Sequence, residues 1–253
     1  MSQLKVRKLT ELLSLEQPSV LYYLENELLS YGGSLFIYGR AGSFKSFLAI
    51  ELMHALATGN RWLLYRTLGT PLTTLMVQAE QVEAMYQDRM MAYTQRRISK
   101  PSLVDPYMLF TTSQNIKLDD FRGIAQLEQA IKTHHPKVVF IDCLYRVVKS
   151  TVDTTSVGRF LDDMARMSGQ YGTAFVVIHH PRKESENDYG FDELTGWSGI
   201  ANWADTILRI TRHDLGPHGP TINLRWEKTK NARKEVGDAN FRVDQENLKF
   251  LVH

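Results

Sequence analysis

The chain has 253 residues, 43% of them hydrophobic, which is enough core for one large α/β domain or two small ones. Thirty basic residues against 28 acidic ones leave a net charge of +2, so no overall charge excess points to nucleic acid or membrane, and any such partner must be met locally. The single cysteine, Cys143, excludes an internal disulfide and a cysteine-based zinc site and fits a reducing cytoplasm. The N-terminus lacks an apolar signal core. The longest apolar stretch, FLAIELMHALAT, is too short to span a bilayer and carries Glu51 and His54, so a soluble chain without a membrane partner is expected.

No repeat, low-complexity tract or long linker interrupts the chain. Residues 11 to 29 read as a helical lead-in broken at Pro18, which makes residues 1–30 a candidate helical arm. SLFIY at 34 to 38 is strand-like and a glycine-bearing loop follows it. Apolar spacing from Lys45 to Thr58 predicts a helix stopped by Gly59-Asn60. Strand–helix alternation then repeats: a strand at 73–79, a helix at 82–93, a short strand at 107–110 and a helix at 119–133. KVVFI at 137–141 and AFVVI at 174–178 are continuous apolar runs of the kind that strands buried on both faces require, and a helix is expected at about 155–170 between them. After a polar loop from Pro181 to about Thr195, the segments DTILRITR, TINLRWEK, FRVD and LKFLV read as antiparallel strands joined without helices. The fold class is therefore α/β, a mostly parallel sheet flanked by helices with antiparallel strands at its C-terminal edge.

GRAGSFKS at 39–46 lies between a predicted strand and a predicted helix, where backbone N–H groups and the helix dipole converge on phosphates. Gly39, Lys45 and Ser46 match the phosphate-loop pattern G-x-x-x-x-G-K-[ST], while Phe44 replaces the second glycine. Gly39, Arg40, Ala41, Gly42, Ser43, Phe44, Lys45, Ser46 and Phe47 form the candidate cradle. Lys45 reaches the β- and γ-phosphates and the Ser46 hydroxyl suits Mg²⁺. Asp142 ends the strand KVVFID, where a carboxylate binds magnesium directly or through water; a helix-capping aspartate is the plainer alternative. Glu80, just after TTLMVQA, is placed to polarise an attacking water, with Glu83 nearby as a reason to read it as an exposed loop glutamate. The minimum implication is a nucleoside triphosphate with Mg²⁺.

At this point the chain resembles the RecA-fold P-loop ATPases and, within them, the plasmid RepA-type hexameric replicative helicases. The resemblance runs from about Tyr31 to Lys234, through YGRAGSFKSFLAIELMHALATG, LMVQAEQVEAMYQDRM with Glu80 and Arg89, VVFIDCLYRVVKS, FVVIHHPRK and the KTKN segment. It implies that residues 31–253 are a RecA-like ATPase domain using ATP and Mg²⁺, and that Glu80 is the catalytic base. It also implies that His179 and His180 form a γ-phosphate sensor, His180 the more direct. Lys228 and Lys230 would enter a neighbour's site as trans-acting cations, with Arg233 in competition, since lysine supplies a point charge where some relatives carry arginine's fork.

The resemblance further implies a homo-oligomer, a hexameric ring with shared ATP sites around single-stranded DNA, serving replication or recombination proteins. Its channel loops would carry Arg146, Lys149 and Arg159 after Asp142, and Arg182, Lys183, Tyr189 and Phe191 after His180, although five acidic residues between 184 and 193 oppose phosphate binding in the second loop. Trp197 and Trp203 are expected to pack rather than stack on bases. The paired histidines have no cysteine near them in sequence, so a zinc site would need His134 and His135, whose spacing shows no metal motif. A DNA helicase or translocase is the leading expectation, a nucleotide-switched loader without unwinding the alternative, and a metabolic kinase a cruder one.

Overall fold

The computed structural model describes residues 5–18, 21–112, 115–150, 154–180, 198–213 and 219–252. Helix α1, Leu9–Leu13, buries no side chain. Strands β1, Tyr22–Leu24, and β2, Leu29–Ser30, pair antiparallel. The helix expected over 11–29 is thus corrected to one exposed turn-and-a-half and a small β pair. Long-range pairing overrides the helical spacing: Glu25 N donates to Arg66 O at 2.8 Å, Arg66 N to a Glu25 carboxylate oxygen at 2.8 Å, and Tyr23, Leu24, Leu28 and Leu29 join the main core.

Strand β3, Ser34–Tyr38, is buried throughout and leads through the loop 39–44 into α2, Lys45–Thr58, which Gly59 ends in a left-handed conformation at φ 70°. The alternation continues as β4, Thr74–Gln78; α3, Glu83–Arg97; β5, Met108–Thr112; and α4, Phe121–His134, whose first turn is capped by the Asp120 carboxylate accepting from Arg122 N at 2.9 Å. Next come β6, Val138–Asp142; the short α5, Leu144–Val147; α6, Thr154–Tyr171; and β7, Ala174–His179. The chain closes with α7, Ser198–Trp203, and four strands: β8, Thr206–His213; β9, Thr221–Thr229; β10, Ala239–Asp244; and β11, Lys249–Val252.

Among the described residues, nine strands form one sheet in the order β11-β10-β9-β8-β3-β7-β6-β4-β5. The pairs from β8 through β3, β7, β6 and β4 to β5 are parallel, and β8–β9, β9–β10 and β10–β11 are antiparallel, as the change from βα alternation to β-only tail predicts. Period-two alternation splits the strands between two cores. Ile37, Met76, Phe140 and Ile178 face α2, while Phe36, Val77, Ile141 and Val177 face α4, α6 and α7. Burying each such side chain contributes roughly 1.5–3 kcal/mol. In β9 the pairing slips by one residue: Leu208 opposes Trp226 but Ile207 opposes Lys228, leaving Glu227 as an extra residue. Among the described residues no helix is long and apolar enough to cross a membrane.

Candidate active site

The carboxyl ends of β3, β4, β6 and β7 lie side by side, and the candidate residues leave from those ends. Register fixes the convergence: Gln78 opposes Asp142, Asp142 opposes Ile178, and Tyr38 opposes His179, so Glu80, Asp142, His180 and the phosphate loop share one rim. They open on a cavity of about 560 Å³, lined among others by Lys45, Ser46, Glu80, Arg89 and His180.

The loop geometry explains its residues. A Cβ on Gly39 would sit 2.3 Å from Ile210 O, so a bare backbone is needed where the loop passes β8. Phe44 holds the left-handed position that a second glycine would fill, at φ 65°, ψ 18°. Its ring lies 4.9 Å from the Arg212 guanidinium, whose Nη1 also donates to Gly42 O at 2.9 Å. Lys45 is only 2% exposed; its ammonium donates to Arg40 O at 2.6 Å and to Ser43 Oγ at 3.2 Å. Burial lowers its pKa to about 8 against the opposing pull of the Asp142 and Glu80 carboxylates. Arg40, Ala41 and Gly42 are exposed, while Phe47 is half-buried and packs on Tyr93 and Phe250.

Asp142 is buried, its carboxyl pushed up by desolvation and drawn back by a hydrogen bond from the Ser46 hydroxyl. Its Oδ1 has no hydrogen-bond partner. An orphaned buried carboxylate oxygen beside a serine hydroxyl at a helix start is an oxygen donor set of the kind Mg²⁺ takes, so these residues fit the ion.

Glu80 is half-buried, with Oε2 3.7 Å from His180 Nε2. The imidazole, against partial burial, holds the Glu80 carboxyl below its ordinary value, so it is an ionised acceptor at neutral pH. His180 leans edge-on against Tyr145, ring centroids 6.0 Å apart. His179 instead turns into the core against Phe36, at 5.8 Å, and burial lowers its pKa to about 3. Of the pair, His180 faces the cavity. The absence of a nearby cysteine in sequence does not survive folding and is corrected here: Cys143 Sγ, a Glu80 carboxylate oxygen and a His180 ring nitrogen lie within 4.8 Å of one another.

Lys228 and Lys230 are elsewhere. They flank the amino end of β8, where Asp205 accepts from Ser34 N at 3.1 Å, so they sit at the start of β3 while the phosphate loop sits at its finish, about 13 Å along the strand. Lys228 Nζ donates to Ala201 O at 2.7 Å and Ala204 O at 2.6 Å, closing the carboxyl end of α7; desolvation and the Lys230 charge lower its pKa. Lys230, 62% exposed, pairs with Asp205 at 3.3 Å. Arg233 pairs with Glu27 at 2.5 Å and lies over the Tyr22 ring, held to the β1–β2 pair.

In the first loop, Lys117 donates to Arg146 O at 2.6 Å, Lys149 pairs with Asp120 at 3.5 Å, and Arg159 is exposed. Arg182, Lys183, Tyr189, Phe191 and Trp197 lie outside the described residues; Trp203 packs partly buried on the α6–α7 core. Sequence reasoning passed over Arg212, Gln245 and Leu248, which wall the cavity on the β8 and β10–β11 side. The one signal for Arg212 was its position at the end of a predicted strand.

The profile of the AAA_25 family, described as an AAA domain, matches residues 2–186. No curated protein matches the chain. Among solved structures, the ATPase domain of a helicase is similar with a TM-score of 0.66 at 11% identity, over 88% of this chain and 85% of that one. The flagellar accessory protein FlaH from Methanocaldococcus jannaschii gives 0.63 at 13%, over 88% and 90%. The RadB recombinase gives 0.59 at 18%, over 87% and 90%. These identities carry the fold alone; the profile covers most of the chain, which therefore belongs to the AAA_25 family and is a P-loop ATPase with the RecA-like fold.

Proposed function

We propose that the chain is the ATP-hydrolysing subunit of a ring-forming motor, hexameric, that translocates on or unwinds single-stranded DNA in replication or recombination. The observation that carries this reading is the separation of two half-sites along β3: the nucleotide cradle at its finish, and an exposed Lys230 at its start, far from that cradle. One subunit's Lys230 complements the cradle of the next, not its own.

In the cradle, backbone N–H groups of the 42–46 loop and the start of α2 take the phosphates, and Lys45 exchanges Arg40 O for phosphate oxygens. Ser46 and Asp142 hold Mg²⁺, which supplies neutralisation of phosphate charge when bound. Glu80 accepts a proton from the attacking water, and His180, 3.7 Å away, registers what Glu80 faces. Lys230 of a neighbouring copy stabilises charge on the transferring phosphoryl group, a contribution on the order of 10³–10⁵ in rate for fingers of this kind. Arg212 and Gln245 flank the nucleobase end.

A nucleotide-switched loader without unwinding is the second reading. Phe44 in the glycine position favours it, because a side chain there crowds the β-phosphate turn. Turnover measured against protein concentration, with and without single-stranded DNA, separates the two for the parent, Lys45→Ala, Glu80→Gln and Lys230→Ala. The motor requires DNA-stimulated, concentration-dependent turnover that each change cripples, with partial rescue when Glu80→Gln and Lys230→Ala subunits are mixed. Turnover indifferent to DNA and concentration removes the motor.

A further inference from the structure

We propose that Glu80, Cys143 and His180 form a binding site for a zinc-class divalent cation, and that its occupancy shuts down hydrolysis. Three donors of three kinds, a carboxylate oxygen, a thiol sulfur and an imidazole nitrogen, come from the ends of β4, β6 and β7 and lie within 4.8 Å of one another. Both ring nitrogens of His180 are buried and lack a hydrogen-bond partner, so the imidazole holds a fixed position against Tyr145 with its donor atoms unspent. Zinc bonds of about 2.0–2.3 Å put ligand atoms roughly 3.4–3.8 Å apart, so side-chain adjustments of about 1 Å close the site. Glu80 and His180 line the cavity and give the ion its way in, while Cys143 forms the floor at 0% exposure.

The donor set selects the ion. Ser46 and Asp142 offer only oxygen, which suits Mg²⁺; sulfur and imidazole nitrogen select zinc over magnesium. On binding, Cys143 releases its Sγ–H proton to solvent as the sulfur–zinc bond forms, and no electron changes hands. Three protein ligands leave a fourth position open to water or to a γ-phosphate oxygen. The inhibitory half of the inference rests on the role given to Glu80 above: a carboxylate bound to zinc no longer accepts a proton from water. The sequence assigned no metal role to Cys143, since its two partners are 63 and 37 positions away.

The test uses the full chain and two probes, zinc chloride in competition with a chromophoric chelator, and Co²⁺ read by its thiolate charge-transfer absorption. The parent is expected to bind one Zn²⁺ more tightly than Cys143→Ser by on the order of 10- to 100-fold, and to show a cobalt–thiolate band that Cys143→Ser lacks. With Mg²⁺ in excess, the zinc concentration that halves ATP turnover should rise by the same factor in Cys143→Ser, each rate normalised to that variant's zinc-free rate. Equal zinc affinity in parent and variant, or no thiolate band in the parent, overturns the site. Should Cys143→Ser fail to fold by circular dichroism, His180→Gln, from a partly exposed position, must show the same loss of affinity. A chain that shows the band and the affinity difference but hydrolyses no ATP keeps the metal site and refutes the motor, so the two failures are distinct.

Discussion

Lys228 and Lys230 differ in what they do for their own subunit, and substituting each by methionine separates stability from chemistry. Lys228 Nζ makes two bonds, at 2.7 and 2.6 Å, to carbonyls at the carboxyl end of α7. A hydrogen bond to a charged group contributes about 1.5–3 kcal/mol when dry; taking about 1 kcal/mol for each here, because Lys228 is half-exposed and water replaces part of the loss, and adding about 0.5 for the helix dipole gives about 2.5 kcal/mol. At about 2–4 °C per kcal/mol for a chain of this size, Lys228→Met should lower Tm by about 5–10 °C. Lys230 makes one exposed ion pair, worth about 0.2–1 kcal/mol, so Lys230→Met should lower Tm by less than about 3 °C while removing turnover. Thermal denaturation followed by circular dichroism, at dilutions where association adds nothing, gives both values beside an ATPase assay. A Lys228→Met melting point within about 1 °C of the parent would refute the capping role and return Lys228 to the catalytic pair.

Glu128 binds Arg166, Tyr171 and Lys132, in that order of effect, and these hold its carboxyl down at about 2. A depressed carboxylate stabilises the fold fully above its unfolded pKa of about 4.5 and loses that contribution as pH falls through about 2. Discounted for the exposed partners, it comes to about 1–2 kcal/mol at pH 7, so urea melts of Glu128→Gln and the parent should differ by that amount at pH 7 and by under half of it near pH 3; a pH-independent gap contradicts this. Gly123→Ala puts a Cβ 1.9 Å from Lys117 O at the start of α4 and should destabilise by about 2–4 kcal/mol in the same assay; a loss under about 0.5 kcal/mol would contradict the packing. Phe44→Gly relieves about 1–2 kcal/mol of left-handed strain but forfeits the Arg212 contact, about 0.5–1 kcal/mol, and adds chain entropy, so stability should move by less than about 1 kcal/mol. A fall of more than about 3 kcal/mol would mean that the ring is a core anchor.

The parallel strands were legible because burial on both faces writes them as unbroken apolar runs: SLFIY, KVVFI and AFVVI each became a strand within a residue of its expected bounds. The loop 39–46 was legible because glycines and a lysine punctuate a strand-to-helix junction. Tyr22 to Ser30 was not, since its partners, residues 66 and 67, lie some 40 positions on and local spacing carries no trace of them. Glu80 and Asp142 were found singly, each as a carboxylate ending a strand. Their approach to Cys143 depends on which strands neighbour one another, β4 beside β6 beside β7, and a strand order of that kind is a property of the whole sheet. The division of labour between His179 and His180 follows from alternation along β7, which sends one ring into the core and the other to the rim.

The extra residue in β9 decides which side of the sheet its basic residues serve. Before it, even-numbered Ile222, Leu224 and Trp226 face the α2 core; after it, even-numbered Lys228 reaches α7 on the opposite side. Removing Glu227 would restore unbroken alternation and swing Lys228 across to the α2 side, away from the carbonyls it closes. The side on which this subunit presents its cations is thus written by one inserted position, and a homologue that lacked the insertion would have to present them from the other parity of residues.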